Sequence, residues 1–220
     1  MDGNALAGKL IPGTRAYIDC VSTAEPTYGA HGRDKKHPIR VSIALEEGRK
    51  ITGRLNVQVC PEPGWTVEPQ WCRRYGANAS LARAAGMPPR DVAEAARNLL
   101  GTAEVIVGHS IAFHTGLIAQ LLVDAGVAGA YNREALGPTF DTMQQTAQDC
   151  AIAGTRGKGF KPPRMPEAYL HFTGEQLPDI SDPSVTWWQA GLLQLTALRR
   201  IWWGKHRWGL APAIEAEGVP

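Results

Sequence analysis

Residues 15–21 read Arg-Ala-Tyr-Ile-Asp-Cys-Val. The run is short, apolar and rich in strand formers, and a polar turn follows at Ser22-Thr23. Residues 39–45 (IRVSIAL) alternate apolar and polar with period two. Residues 51–59 (ITGRLNVQV) do the same and stop at Pro61. Three such runs in succession predict an antiparallel meander. The loop between the first two, residues 22–38, carries Glu25, Arg33, Lys35, Lys36 and two histidines, and is expected to hold mobility or function.

Beyond the meander the pattern changes to helices and buried strands. Residues 61–76 read as a loop with Trp65 and Trp71, and residues 79–85 as a short helix ended by Gly86. Pro88-Pro89 opens a helix over 90–100, with Asp91 and Glu94 in its first turns, where acids suit the helix dipole. Residues 105–108 (VIVG) are continuously apolar, as in a strand covered on both faces. A helix is expected over 112–125, with Phe113, Leu117 and Leu121 at helical spacing. A short strand or strand-to-helix turn is expected over 139–143, then a basic Gly- and Pro-rich loop over 154–163. Helices follow over 166–172 and 182–203. The order β-β-β-α-β-α-β-α-α implies an α/β fold, a mixed sheet with helices on its faces. Residues 1–13 form an N-terminal segment, 14–203 one domain and 204–220 a tail that reads as partly disordered.

Composition limits the function. The 220 residues, of which 44% are hydrophobic and 20% charged, suffice for one packed core and exclude a disordered chain. Lys plus Arg total 23 against 21 Asp plus Glu, so the net charge of +2 rules out a basic field over the whole surface. Nucleic-acid binding would need a local patch. No stretch has the length and apolarity of a membrane span. Met1 to Lys9 has an acid at Asp2 and no apolar core, so a secretory signal is not expected. Cys20, Cys60, Cys72 and Cys150 lack CxxC spacing and read as free thiols of a soluble cytoplasmic protein.

Four segments in order resemble the DnaQ-like 3′-5′ exonucleases of the ribonuclease H-like fold. Residues 17–23 (YIDCVST) resemble the first motif, an Asp-x-Glu-Thr-Thr run. Residues 103–117 (AEVIVGHSIAFHTGL) are similar to the second, in which a strand ends in His-Asn and Phe-Asp opens a helix. Phe140-Asp141-Thr142-Met143 looks like the Asp-Thr turn that follows. Residues 161–175 (KPPRMPEAYLHFTGE) resemble the segment leading to the third motif, a His four residues before an Asp. The resemblance covers roughly residues 14 to 203 and implies a mixed five-stranded sheet, three antiparallel strands then parallel ones, flanked by helices.

The departures from the family pattern carry more information than the matches. The resemblance implies two divalent cations held by Asp, Glu, Asp and Asp, with a His as general base. Two metals about 4 Å apart clamp the attacking and leaving oxygens, and hard cations take carboxylate oxygens. Asp19 keeps the first position. Val21 stands at the Glu position and His114 at the second Asp. The best register of the third motif puts Asp182 at the base and Trp187 at the last Asp, an indole where an ion should sit. This set predicts a dismantled, plugged site with no catalytic residues and no cofactor; Mg or Mn would enter only in an active alternative. Asp19, His114 and Asp182 could also converge on a single Mn or Zn. Asp141 reads as a cap on the next helix.

Two groups of residues are candidates for binding. His109 ends the buried strand, near the family's terminal nucleotide, or else donates to a backbone carbonyl. With Arg156, Lys158, Phe160, Lys161 and Arg164 it makes a basic, aromatic set suited to single-stranded nucleic acid. Five of the seven tryptophans are Trp187, Trp188, Trp202, Trp203 and Trp208. Adjacent helix residues face about 100° apart, so Trp202 and Trp203 do not easily bury in one core face. Beside Arg199 and Arg200 they form a protein-partner candidate; the other reading is two indoles closing the base of the sheet. The leading expectation is an inactive exonuclease homologue that binds a protein or single-stranded DNA or RNA as an accessory or inhibitory subunit. An active enzyme with a non-standard site and a structural component of a larger assembly are the alternatives.

Overall fold

The computed structural model describes residues 13–25, 36–127, 137–154, 159–206 and 214. The meander forms as expected: β1 (Thr14–Ser22), β2 (Pro38–Glu47) and β3 (Lys50–Gln58) pair antiparallel. β4 (Val105–Gly108) joins β1 in parallel, and β5 (Thr139–Asp141) joins β4 in parallel. The sheet order is β3-β2-β1-β4-β5.

Helices cover both faces. α3 (Pro89–Leu100) and α4 (Ile111–Asp124) pack on the face carrying Ala16, Ile18, Cys20, Val41, Ile43 and Ile106. α7 (Met165–Thr173) and α8 (Trp187–Lys205) pack on the face carrying Tyr17, Ala44, Val105 and Val107. The second face decides the chemistry. Register places Arg15 opposite Glu46, Tyr17 opposite Ala44, Asp19 opposite Ser42 and Val21 opposite Arg40. Directly opposed residues share a face, so all of these lie beneath α7, α8 and their neighbours.

α1 (Pro69–Arg74) occupies part of the expected 61–76 loop, and α2 (Ala79–Ala85) matches its expected bounds. Asn78 caps α2 by accepting from the Leu81 N–H at 3.0 Å. α5 (Thr142–Gln145) and α6 (Ala147–Cys150) follow β5. Asp141 caps α5 through the Met143 N–H at 2.9 Å, as expected, and also accepts from Ser110 and Ile111 at the start of α4.

Two expectations for α8 need correction. The helix starts at Trp187, not at 182, because Thr186 and Gln189 form a reciprocal capping box there. Asp182 lies outside it, in a turn where its carboxylate accepts from the Ser184 N–H at 2.8 Å and hydroxyl at 2.7 Å. Second, Trp202 and Trp203 are both buried, at 3% and 2% exposure. Elements on two sides of α8 receive them. Trp202 meets Phe140 of β5 edge-to-face at 4.7 Å, while Trp203 donates its indole N–H to Glu46 Oε1 at 3.0 Å. Arg199 is buried as well and ion-pairs with Glu46, and Arg200 bonds Glu175 at 2.6 Å. An exposed Trp-Arg hot spot is therefore absent from this stretch of α8. In the expected tail, Ile214 is buried and its N–H donates to Thr196 Oγ1 at 3.1 Å. All four cysteines are free thiols, Cys20 and Cys72 buried and the other two partly so.

Candidate functional site

β1 outruns β4. The last β1–β4 pair is Tyr17 with Val107, and β1 continues to Ser22. The strand end left beyond β4 carries Asp19 and Cys20, and α4 brings His114 to it. His114 Nδ1 accepts from the Cys20 backbone N–H at 2.9 Å, so the ring proton sits on Nε2. Nε2 lies 2.9 Å from the His109 carbonyl and donates to it. Both ring nitrogens are thereby committed to backbone. Asp19 Oδ1 stands 4.0 Å from Nε2, outside hydrogen-bond range.

Asp19 has a different partner. Arg40 Nη2 lies 2.5 Å from Asp19 Oδ2, and Nη1 donates to the Gly76 carbonyl at 2.6 Å. The Arg40 side chain is 0% exposed and that of Asp19 is 12%. Register explains the meeting, since Arg40 opposes Val21, two residues along the same face from Asp19. Thus β2 places a buried guanidinium against Asp19. Val21 is buried beside it and offers no oxygen.

α8 closes the far side with small residues. A Cβ on Gly76 would lie 2.5 Å from the Ala190 Cβ and 2.9 Å from Arg40 Nη1. Gly76 also has φ +70°, so both its backbone and its surroundings favour glycine. At the next residue of α8, a Cβ on Gly191 would collide with Asn56 and come within 2.7 Å of Ser42 Oγ. Ala190 of α8 therefore packs against Gly76, whose carbonyl accepts from Arg40. Trp187 is half-buried against Trp188, ring centroids 5.6 Å apart, and the group filling the space beside Asp19 is Arg40.

His109 anchors the neighbouring loop. Its Nε2 donates to the Pro163 carbonyl at 3.0 Å, and its Nδ1 faces Thr142 Oγ1 at 3.0 Å. Burial pushes its pKa down to about 4, so the ring is neutral. The bond holds residues 159–164 against the end of β4. On that segment Phe160 is 52% exposed. Lys161 and Arg164 both pair with Glu167 at 3.0 Å, and this carboxyl is lowered to about 2, chiefly by the Arg164 backbone N–H. Arg156 and Lys158 lie outside the described residues.

The structure thus brings Asp19, His114, Arg40 and Gly76 together, and Asp182 does not form a metal-holding group with them. Arg40 has a sequence signal: it stands in phase with Ser42, Ala44 and Glu46 on β2, a polar row that reads as solvated but is buried. Among the described residues, no three His, Cys, Asp or Glu side chains gather in a group that could hold a metal.

No protein-family model matches this chain, and no curated protein does. Solved structures do. E. coli exonuclease I in complex with a dT13 oligonucleotide aligns with a TM-score of 0.61 at 12% identity, over 88% of this chain and 40% of that one. A moderately thermophilic exonuclease I from Methylocaldum szegediense gives 0.59 at 14% identity, over 85% of this chain and 40% of that one. A product-bound exonuclease I gives 0.57 at 11% identity, over 86% and 44%. The chain therefore spans about two fifths of the length of these exonucleases. In fold, this chain is a ribonuclease H-like α/β protein of the exonuclease type, built on a mixed five-stranded sheet.

Proposed function

We propose that this chain is a catalytically inactive homologue of 3′-5′ exonucleases that binds single-stranded DNA or RNA without cutting it, as an accessory or inhibitory subunit. The observation that carries this reading is the buried Asp19–Arg40 ion pair. A hydrolytic centre of this family needs several carboxylate oxygens converging on two dipositive ions. Here one carboxylate is present and already neutralised by a guanidinium, His114 has no nitrogen left to ligate, and Val21 has no ligating atom. The donor set does not fit Mg or Mn.

Binding rather than a purely structural role is supported by the exposed Phe160 with Lys161 and Arg164, held at the end of β4 by His109. E. coli exonuclease I, with which the fold is shared, has been crystallised with an oligonucleotide. Burial of Trp202, Trp203 and Arg199 favours this reading over a protein partner on α8.

The test is incubation with labelled single-stranded DNA and RNA in Mg or Mn. Retention of intact strand, weakening steeply with salt, is the expected result. Cleavage abolished by Asp19→Ala would show an active enzyme instead. No strand binding, with a protein co-purifying, would return the protein-partner or structural alternative.

A further inference from the structure

We propose that the cleft beside α1 is a nucleobase-binding subsite, stacking an amine-bearing base on Trp71 and holding its phosphate on Arg74. The inference rests on the nucleic-acid reading above and gives it a location outside the 159–164 loop. The cleft has a volume of about 640 Å³, and its lining includes Glu25, Val67, Glu68, Pro69, Trp71 and Arg74.

The indole is fixed without a ligand. Its N–H donates to Ser22 Oγ at 3.1 Å, and the Ser22 hydroxyl donates to the Ala24 carbonyl at 2.7 Å. The Tyr75 ring backs it at 4.3 Å between centroids. A pre-positioned aromatic surface loses little freedom when a base stacks on it. Val67 and Pro69 supply apolar wall.

The polar lining selects among bases. Glu25 and Glu68 line the cleft, with Glu68 Oε2 3.4 Å from the Glu25 N–H, and a carboxylate accepts from the exocyclic amine of cytosine but not from the carbonyl at the same place on thymine. The phosphate goes to the other side. Arg73 and Arg74 are exposed at the end of α1, which contains no acid, and neither forms an ion pair among the described residues.

Placement joins the cleft to the Asp19 end of the sheet. The Glu68 N–H donates to the Thr23 carbonyl at 2.8 Å, which pins α1 to the chain just past β1. Gly76, two residues beyond α1, accepts from Arg40.

The experiment measures fluorescence anisotropy of the full chain with labelled dC and dT tracts of about 12 nucleotides, with dCMP as competitor. The dC tract should bind more tightly than dT. Trp71→Ala and Arg74→Ala should each weaken dC binding by about tenfold, Trp71→Phe should keep most of it, and Glu68→Gln should narrow the dC/dT difference. Unfolding curves matching wild type establish that each variant is folded. Trp71→Ala and Arg74→Ala variants that bind as tightly as wild type would overturn the subsite and leave the strand-binding function standing. A wild-type chain that binds no strand but takes dCMP with the same Trp71 and Arg74 dependence would support the subsite and overturn the strand. No binding of either would overturn both.

Discussion

The two ends of β1 carry buried carboxylate chemistry on one face of the sheet, and they use it differently. At the β1 start, Glu46 of β2 is 0% exposed and saturated. Arg15 reaches Oε1 at 2.7 Å, Arg199 binds Oε2, the Trp203 indole donates at 3.0 Å and the Tyr17 hydroxyl lies at 3.4 Å. Burial and the Glu46 charge raise the Tyr17 pKa well above its ordinary value, so that hydroxyl keeps its proton. At the β1 end, Asp19 has one guanidinium, and its side chain stays 12% exposed. The first centre is finished interior that ties α8 to two strands. The second is a single ion pair whose carboxylate keeps a small opening to the surface.

The contrast breaks most visibly at Glu46. Glu46→Gln leaves two buried guanidiniums sharing no anion, and the loss of stability in urea unfolding is expected near the upper end of the roughly 3–5 kcal/mol seen when one partner of a buried pair is removed. Arg40→Met strands a single, slightly exposed carboxylate and should cost about 3 kcal/mol. The double variant Asp19→Leu/Arg40→Met should be less destabilised than either single one, since an apolar pair replaces an ionic one at little net cost. A double variant as unstable as the sum of the two would show that Arg40 acts mainly through the Gly76 carbonyl.

A third difference is set by pH. His109 is held near pKa 4 by burial, below the usual value of 6.5 for histidine. The unfolded chain therefore takes up a proton that the folded chain refuses. Stability is full above about pH 6.5 and is lost as pH falls from there toward 4, by about 2 kcal/mol between pH 7 and 5. Glu167 acts in a lower window, with its support lost only as pH falls from 4.5 toward 2. His109→Asn should flatten the slope between pH 7 and 5; an unchanged slope would assign it to another group. The smallest effect is expected for Arg200→Ala. Glu175 is 56% exposed, so this pair contributes about 1 kcal/mol or less, and 1 M salt should erase the difference in unfolding midpoint.

Much of this fold is legible in the sequence because β1 is a short run of strand formers, β2 and β3 alternate cleanly and 105–108 is apolar throughout. The same alternation misleads about the second face. Arg40, Ser42 and Glu46 look like the wet side of a half-buried strand, yet α8 and the α1–α2 corner cover them with partners already supplied by Asp19, Asn56 and Arg15. The start of α8 was obscured by Asp182, a plausible cap that spends its carboxylate on Ser184 while Thr186 does the capping. The burial of both Trp202 and Trp203 depends on β5 and the β2–β3 turn flanking one helix, which no local window contains.

Arg40 also sets the charge that a substitution at this end of the sheet would meet. A lone acidic substitution at Val21 would put a new anion beside a guanidinium already in place and strengthen the existing cluster, without creating a vacancy for a metal. Under the proposed function, a metal-loaded centre would need Arg40 removed as well as acids introduced, since the guanidinium already neutralises Asp19.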